Sequence, residues 1–582
     1  MALRDPAEVA SVGAGGRGTK SFARDSMEQQ APERGFKVGE RRLLVPLGLT
    51  AAVATYLGFR LFLFLTDDAY IAFRYISNRR LGYGYVWNPP PFLPVEGYTS
   101  WLWVALLDLV WTATGIPPPD AANYVSLLLG FATLCLGYRF VARMALPPEL
   151  ARHRLLFLAL ILLGTVTNRT FLAWLSSGLE TSLFNFCFTL WIYHALAPSA
   201  HRGRWWVFRL SLATTLTALA RPDGLLALLG TAGLLGLHVL QRGAPLRRRI
   251  GELACAFPLA GVPLHLMWRR WTYGEWLPNT YYAKYNKPWP ESGWRYAASF
   301  ALEYALWIWV AMALAAAVIW VARRRRFDAA AVIVACVIAA HAAYYTVIIG
   351  GDHFEYRVYS HLILLLFISF LWLGASLGLR ARTALALFAL FIAASWPVPW
   401  MHYLETRGLL TRQETFPMIR PIAYRFPPVA RLYVEAFDDL QEWLIQHSVC
   451  RRHQEHKVFW KQRIDYLPSR EQGERIGWED RPVLVGWSVG VVGWILPHVA
   501  VLDGFGLNDY VIARTRVPTQ RTRLMAHERR PPEGYVDCFR PNLYMLATPT
   551  TPPRILHQDD QRMSPLTDEE IRRCEAHFRA AL

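Results

Sequence analysis

The feature that most constrains this chain is the way its apolar residues come in blocks. Unbroken runs such as Leu155–Leu163, Leu225–Leu240 and Ala329–Ile349 recur between residues 43 and 397, separated by short polar loops. The hydrocarbon core of a bilayer takes about 20 residues of apolar helix. A segment can cross it only if all its backbone hydrogen bonds are satisfied internally. The pattern therefore predicts a polytopic α-helical membrane protein. Composition agrees: 53% of the 582 residues are hydrophobic, with 24 Trp and a mean hydropathy of +0.18.

Spans are expected at about 43–65, 121–142, 155–168, 180–197, 206–221, 224–240, 250–268, 299–322, 329–349, 358–377 and 382–397, eleven in all, with two pairs close enough for a re-entrant piece to replace a full span. The net charge of +18 raises the question of nucleic acid. The basic residues, however, sit mostly in short loops beside apolar runs and in two soluble ends, as the positive-inside rule produces, so no nucleic acid is expected. With the N-terminus in the cytoplasm, Arg143/Arg152/Arg154, Arg202/Arg204, Arg242/Arg247/Arg248/Arg249, Arg323–Arg326 and Arg380/Arg382 all fall inside; Arg269/Arg270 is the exception. This agreement requires Tyr98–Thr114, which carries Trp101, Trp103 and Trp111, to lie along the membrane surface as a helix.

Three regions follow. Residues 1–41, polar and rich in Gly, Arg and Glu, read as a disordered cytoplasmic tail with no cleavable signal pattern. Residues 42–397 form the transmembrane part. An odd number of spans leaves residues 398–582 outside the cytoplasm as a soluble α/β or α+β domain, with strand-like runs at Val483–Gly486 and Val499–Val501. Cys135, Cys187, Cys255 and Cys336 lie in apolar runs, and one disulfide among Cys450, Cys538 and Cys574 is plausible on the outer side.

The outward loops gather the polar residues. The first opens with Thr66-Asp67-Asp68 and also carries Arg74 and Glu96. Two carboxylates at a membrane boundary are costly without a role. Either can cap the following helix, but capping needs only one. Later outward loops bring Glu180, then Arg221-Pro222-Asp223-Gly224, then Tyr282 and Lys284, then Asp352, His353, Glu355 and Arg357. Glu180 can be a first-turn anion or face substrate, and Lys284 can be an interface anchor or a ligand. Asp352 or Glu355 can pair with Arg357, and these acids with His353 are also a conceivable divalent-metal set, though the spacing matches no recognised signature. An outward acid suits a general base, and outward Arg and Lys suit a clamp on a lipid phosphate. The combination fits transfer of a group from a polyprenyl phosphate to an external hydroxyl.

The pattern Thr66-Asp67-Asp68-Ala69-Tyr70, Arg74-Tyr75, Asn78, Gly82-x-Gly84, Asn88 and Val95-Glu96-Gly97-Tyr98-Thr99-Ser100 resembles the first outer loop of GT-C fold glycosyltransferases that use lipid-linked sugars. Ser177-Gly178-Leu179-Glu180, Arg221-Pro222-Asp223, Pro278-Asn279-Thr280-x-Tyr282-Ala283-Lys284, Gly350-Gly351-Asp352 and Asp503…Gly506-Leu507-Asn508-Asp509 resemble the later motifs in the same order. The chain is most similar to the terminal β-(1→2) arabinofuranosyltransferase family of the actinobacterial cell wall.

That resemblance implies an inverting transfer from a polyprenyl-phosphate sugar such as decaprenylphospho-arabinofuranose to a glycan or glycoprotein acceptor; separately, no cofactor is expected to be required, with a divalent metal left open. It implies that Asp67 or Asp68 is the base, with Asp67 favoured and Asp68 as the residue that caps the helix or orients the loop. The expected site is Asp67 and Asp68 for catalysis, with Arg74, Glu96, Glu180, Arg221, Asp223, Tyr282, Lys284, Asp352, His353 and Arg357 toward donor phosphate or substrate. The expected location is the plasma membrane, with the site facing outward. A transferase of another lipid-linked sugar, of mannose or aminoarabinose type, and a non-catalytic transporter are the alternatives.

Overall fold

The computed structural model describes residues 35–240, 245–285, 287–324, 328–479, 481–517, 522–546, 554–558 and 565–582. Residues 1–34 of the expected tail lie outside them. The first helix, α1 (Val38–Phe62), starts inside the region expected to be tail. It is followed by α2 (Asp67–Arg80) and α3 (Trp101–Thr114), and then by the long α4 (Pro118–Arg143).

The chain is a polytopic helical membrane protein. All eleven expected stretches fall on helices. By length and composition, seven of the described helices are able to cross a membrane, beginning with Gly39–Phe62 and ending with Ala381–Thr406. An eighth is added if the pair Pro290–Glu303 and Leu306–Ala322, bent by 95°, crosses as one. The stretches expected at 155–168, 180–197 and 206–221 are the shorter helices Arg154–Val166, Thr181–Ala195 and Arg204–Ala220, of 13, 15 and 17 residues. The last spanning stretch runs through the expected boundary at 397 to Thr406. Pro397 opens its second helical piece, in the first turn, where a missing N–H costs nothing.

Helix α3 has 14 residues and ends at Gly115, whose φ of 76° needs a residue without a Cβ. At about 1.5 Å per residue it is too short to span. The C-terminal part carries a four-stranded sheet in the order β2-β1-β3-β4, from β1 (Val483–Gly486), β2 (Ala500–Asp503), β3 (Leu543–Leu546) and β4 (Arg554–Gln558). β1 runs parallel to both β2 and β3, and β3 runs antiparallel to β4. Of the three candidate cysteines, Cys538 and Cys574 form the disulfide and Cys450 is buried and free. In the apolar runs Cys187 is buried, while Cys135 and Cys336 are exposed on the helix surface.

The sheet is not a separate appendage. One apolar core contains Phe73 of α2, Trp87 of the first outer loop, Trp191 of a membrane helix, and Leu484, Val501 and Leu543 of the strands. Arg74, fully buried, ties these pieces together. Its guanidinium donates to the carbonyls of Trp87 (2.6 Å), Gly493 (2.6 Å), Leu496 (3.0 Å) and Val499 (2.7 Å).

Candidate active site

Helix α2 sets the site. Its N-cap is Thr66, whose hydroxyl accepts from the Ala69 N–H, so neither aspartate caps it. Asp67 and Asp68 occupy the first turn, where carboxylates favour the helix dipole. Adjacent helical residues project to different faces. Asp67 turns to the C-terminal part: its two oxygens accept from the N–H groups of Gly490 (3.1 Å) and Val491 (3.0 Å), and Arg463 stands at 3.4 Å. Asp68 turns the other way, with Ile71 and Ala72 one turn on, into a cavity of about 270 Å³. The residue favoured as base from the sequence is thus held as a strut, and its neighbour faces open space.

The first turn of α2 is itself pinned by the Ser-Ser-Gly segment. Thr66 N–H donates to the Ser177 carbonyl at 2.9 Å. Gly178 has φ +73°, and a Cβ there would run into Leu65 and Ala69. The chain then delivers Glu180 to the cavity wall. Arg221 lies opposite at 3.8 Å, donating also to Asp223 (3.1 Å) and to the Tyr345 hydroxyl (2.8 Å). Tyr345 in turn donates to Asp223 at 3.1 Å. Gly350 and Gly351, with φ of 92° and 102°, bring Asp352 to the same wall, where Arg357 holds it through two hydrogen bonds of 2.8 and 3.3 Å. Lys284, at the end of the helix Asn279–Lys284, completes the ring.

Glu180, Asp223 and Asp352 each stand beside a guanidinium, whereas Asp68 and Lys284 form no hydrogen bond or ion pair within the described residues. Burial holds the Asp68 carboxyl above the usual carboxylate range, against the pull of the Lys284 ammonium, and Asp67 adds to the rise. The result is an uncommitted carboxylate facing a lysine, with Arg221 and Arg357 behind.

The remaining expected site residues are used differently. Arg74 is the strut already described and does not reach the cavity. Glu96 is buried against Arg269 at 2.5 Å, and burial pushes its pKa up to about 7 against that partner. This pair also accounts for Arg269 in the one basic cluster that broke the charge rule, because Arg269 meets the first outer loop, whereas Arg270 turns to the Gly274 carbonyl. Tyr282 points away, donating to Glu275 at 3.3 Å under the guanidinium of Arg514, and its neighbours Tyr281 and Tyr285 line the cavity instead. His353 reaches the cavity edge, but its Nδ1 is engaged with the Ser448 carbonyl at 2.8 Å. Asp352, His353 and Glu355 do not converge on a metal. Glu355 turns to Arg169 at 3.0 Å and to the His453 N–H at 2.9 Å. Among the described residues no group of three His, Cys, Asp or Glu side chains is placed to hold one.

The C-terminal part adds a wall to the cavity. Asn279 donates to the carbonyls of Gly506 (2.9 Å), Leu507 (3.1 Å) and Asp509 (3.0 Å) and accepts from Arg514 (2.8 Å). Leu507 of that turn joins the lining, and Arg523 and Met525, held by the carbonyls of Lys287, Pro288 and His447, join it with Ala526 from farther along the chain. Asp503, at the end of β2, is fully engaged by the N–H groups of Phe505 and Asn508 and the Asn508 side chain. Burial pushes its pKa up to about 6.

These elements define a polytopic helical membrane protein of GT-C-like fold with an α/β C-terminal part. No protein-family model matches the chain. Residues of the chain are 28% identical over 279 positions to a terminal β-(1→2)-arabinofuranosyltransferase of Corynebacterium glutamicum, a match covering 44% of this chain and 38% of that protein. The chain therefore spans well under half the length of this relative. In three dimensions it resembles ArnT from Cupriavidus metallidurans, whose crystal structure holds undecaprenyl phosphate. The TM-score is 0.50 at 12% identity, over 90% of this chain and 99% of that one.

Proposed function

We propose that the chain is an inverting glycosyltransferase that moves a sugar from a polyprenyl-phosphate donor to a hydroxyl of an extracytoplasmic glycan or glycoprotein. The observation that carries this reading is the uncommitted Asp68 carboxylate in a cavity ringed by Lys284, Arg221 and Arg357. Asp68 takes the proton of the acceptor hydroxyl. The acceptor oxygen bonds to the anomeric carbon from one face, and the bond from that carbon to the phosphate oxygen breaks on the other. The departing polyprenyl phosphate takes up the electron pair, and the cationic side chains meet its charge. In this reading the cationic side chains of the lining, which also include Lys287 and Arg523, take the role a metal would otherwise have.

The donor sugar is proposed to be arabinofuranose, supported by the partial likeness to an arabinofuranosyltransferase. The polyprenyl phosphate is supported by the ligand of the structurally similar ArnT. The arginine distribution favours a plasma-membrane protein with a cytoplasmic N-terminus, a membrane part from Gly39 to Thr406, and the cavity and the residues after Thr406 outside. The test is transfer in membranes supplied with decaprenylphospho-arabinofuranose. Asp68→Asn should abolish transfer while the protein still inserts, and chelation with EDTA should leave the wild-type rate unchanged. Full activity in Asp68→Asn would overturn the base assignment. Transfer only from a mannosyl or aminoarabinosyl donor would replace the sugar.

A further inference from the structure

A second, larger cavity lies at the other end of the same helices. The helices Thr181–Ala195 and Arg204–Ala220 present Glu180 and Arg221 to the first cavity. Their far ends, about 22–26 Å away at the rise of an α-helix, meet the C-terminal end of α4. There they line an open cavity of about 720 Å³.

Arg139, Arg143 and Arg209 line it, with His194 and with Tyr193 and Trp205 among its aromatic walls. No Asp or Glu lines it, and none of the three arginines forms an ion pair or hydrogen bond within the described residues. Arg143 rests only on the Tyr193 ring, 4.7 Å from its centre. All three guanidiniums are exposed, and their convergence on one concave space lets a single anion meet three positive charges at once. Aromatic and aliphatic walls beside the charge suit a ligand that is part phosphate and part hydrocarbon.

We propose that this cavity binds a phosphate-bearing anion, either the headgroup of an anionic lipid from the leaflet opposite the catalytic cavity or free phosphate. Binding there ties together the ends of α4 and of the two helices whose opposite ends carry Glu180 and Arg221. Native mass spectrometry of the full chain in detergent tests this, with dioleoylphosphatidylglycerol as probe and dioleoylphosphatidylcholine as comparator. Wild-type protein should retain phosphatidylglycerol in preference. Arg139→Gln/Arg143→Gln/Arg209→Gln should weaken that binding about a hundredfold.

Leu190→Trp, which fills the cavity and keeps every charge, should displace the lipid as well. It also keeps the test valid if the triple variant fails to insert. Arg380→Gln/Arg382→Gln, removing charge outside the cavity, should leave binding unchanged. Displacement of the lipid by millimolar inorganic phosphate identifies the free anion as the ligand, and resistance to it identifies the headgroup. Undiminished binding in either cavity variant, or equal loss in Arg380→Gln/Arg382→Gln, overturns the proposal.

Discussion

The carboxylates of Asp67 and Asp68, joined by one peptide bond, point to opposite sides of their helix: one into the backbone N–H groups of Gly490 and Val491, the other into an open cavity. The two aspartates should therefore fail differently. Asp68→Asn is expected to lower transfer by about 10²–10⁴-fold, the usual contribution of a general base, without loss of folding. Asp67→Asn loses its charge opposite Arg463 and one acceptor, and is expected to destabilise by about 1–3 kcal/mol. Rates with thermal unfolding of both purified variants would check this; the reverse assignment of effects would refute it.

The position of Asp68 also sets a pH signature. Its pKa in the folded chain lies above the ordinary 3.8, chiefly through burial. Only the ionised form is a base, so the acid limb of the rate profile should lie above that value. The folded state binds this proton more tightly than the unfolded one. The contribution therefore favours folding below the unfolded pKa and is lost as pH climbs through the folded value. Asp68→Asn should raise Tm at neutral pH, and the gain over wild type should vanish in acid. A gain independent of pH would show that ionisation is not its cause.

Glu96 and Arg269 are 173 residues apart and both buried. Removing one partner strands the other charge, which costs about 3–5 kcal/mol. Arg269→Ala should therefore lower Tm well below that of the double variant Glu96→Gln/Arg269→Ala, where no carboxylate is left behind. Equal Tm values for the two would mean that the carboxylate left behind costs nothing.

Arg74 offers five donors in a rigid fork, and four backbone carbonyls use it. A lysine cannot span them. Arg74→Lys is expected to destabilise by about 2–4 kcal/mol and to expose the segment 490–499 to limited proteolysis. An unchanged cleavage pattern would remove Arg74 as the link between outer loop and sheet.

Reduction supplies a further check. The Cys538–Cys574 disulfide closes a loop of 36 residues, worth about 2–4 kcal/mol. Dithiothreitol should lower the Tm of the wild type and leave that of Cys538→Ser/Cys574→Ser unchanged.

The membrane class and the order of the polar motifs were legible in the sequence because hydropathy and loop charge are local signals. What each motif residue touches was not. Which face of α2 is covered depends on Gly490 and Val491, more than 400 residues later, and nothing near Asp67 encodes that. Arg74, Glu96 and Tyr282 carry functional-looking side chains in functional-looking loops, yet their partners at Gly493, Arg269 and Glu275 make them supports. One signal was present and misplaced: Arg269 on the outer side called for an acid, and Glu96 was available. Likewise the helix Asn279–Lys284 offers two adjacent tyrosines, and only packing decides that Tyr281 rather than Tyr282 borders the cavity.

The three carbonyls that converge on the Asn279 amide have a consequence for how such a chain can be altered. A single side chain from the membrane half reads the exact path of the Gly506–Asp509 turn, and that turn supplies part of the cavity wall. The two halves are therefore a matched pair rather than interchangeable modules. A chimera that grafts the outer half of a related protein onto these helices should rebuild its cavity only if asparagine and turn are transplanted together, and the same coupling gives natural variation at either place a reason to be mirrored at the other.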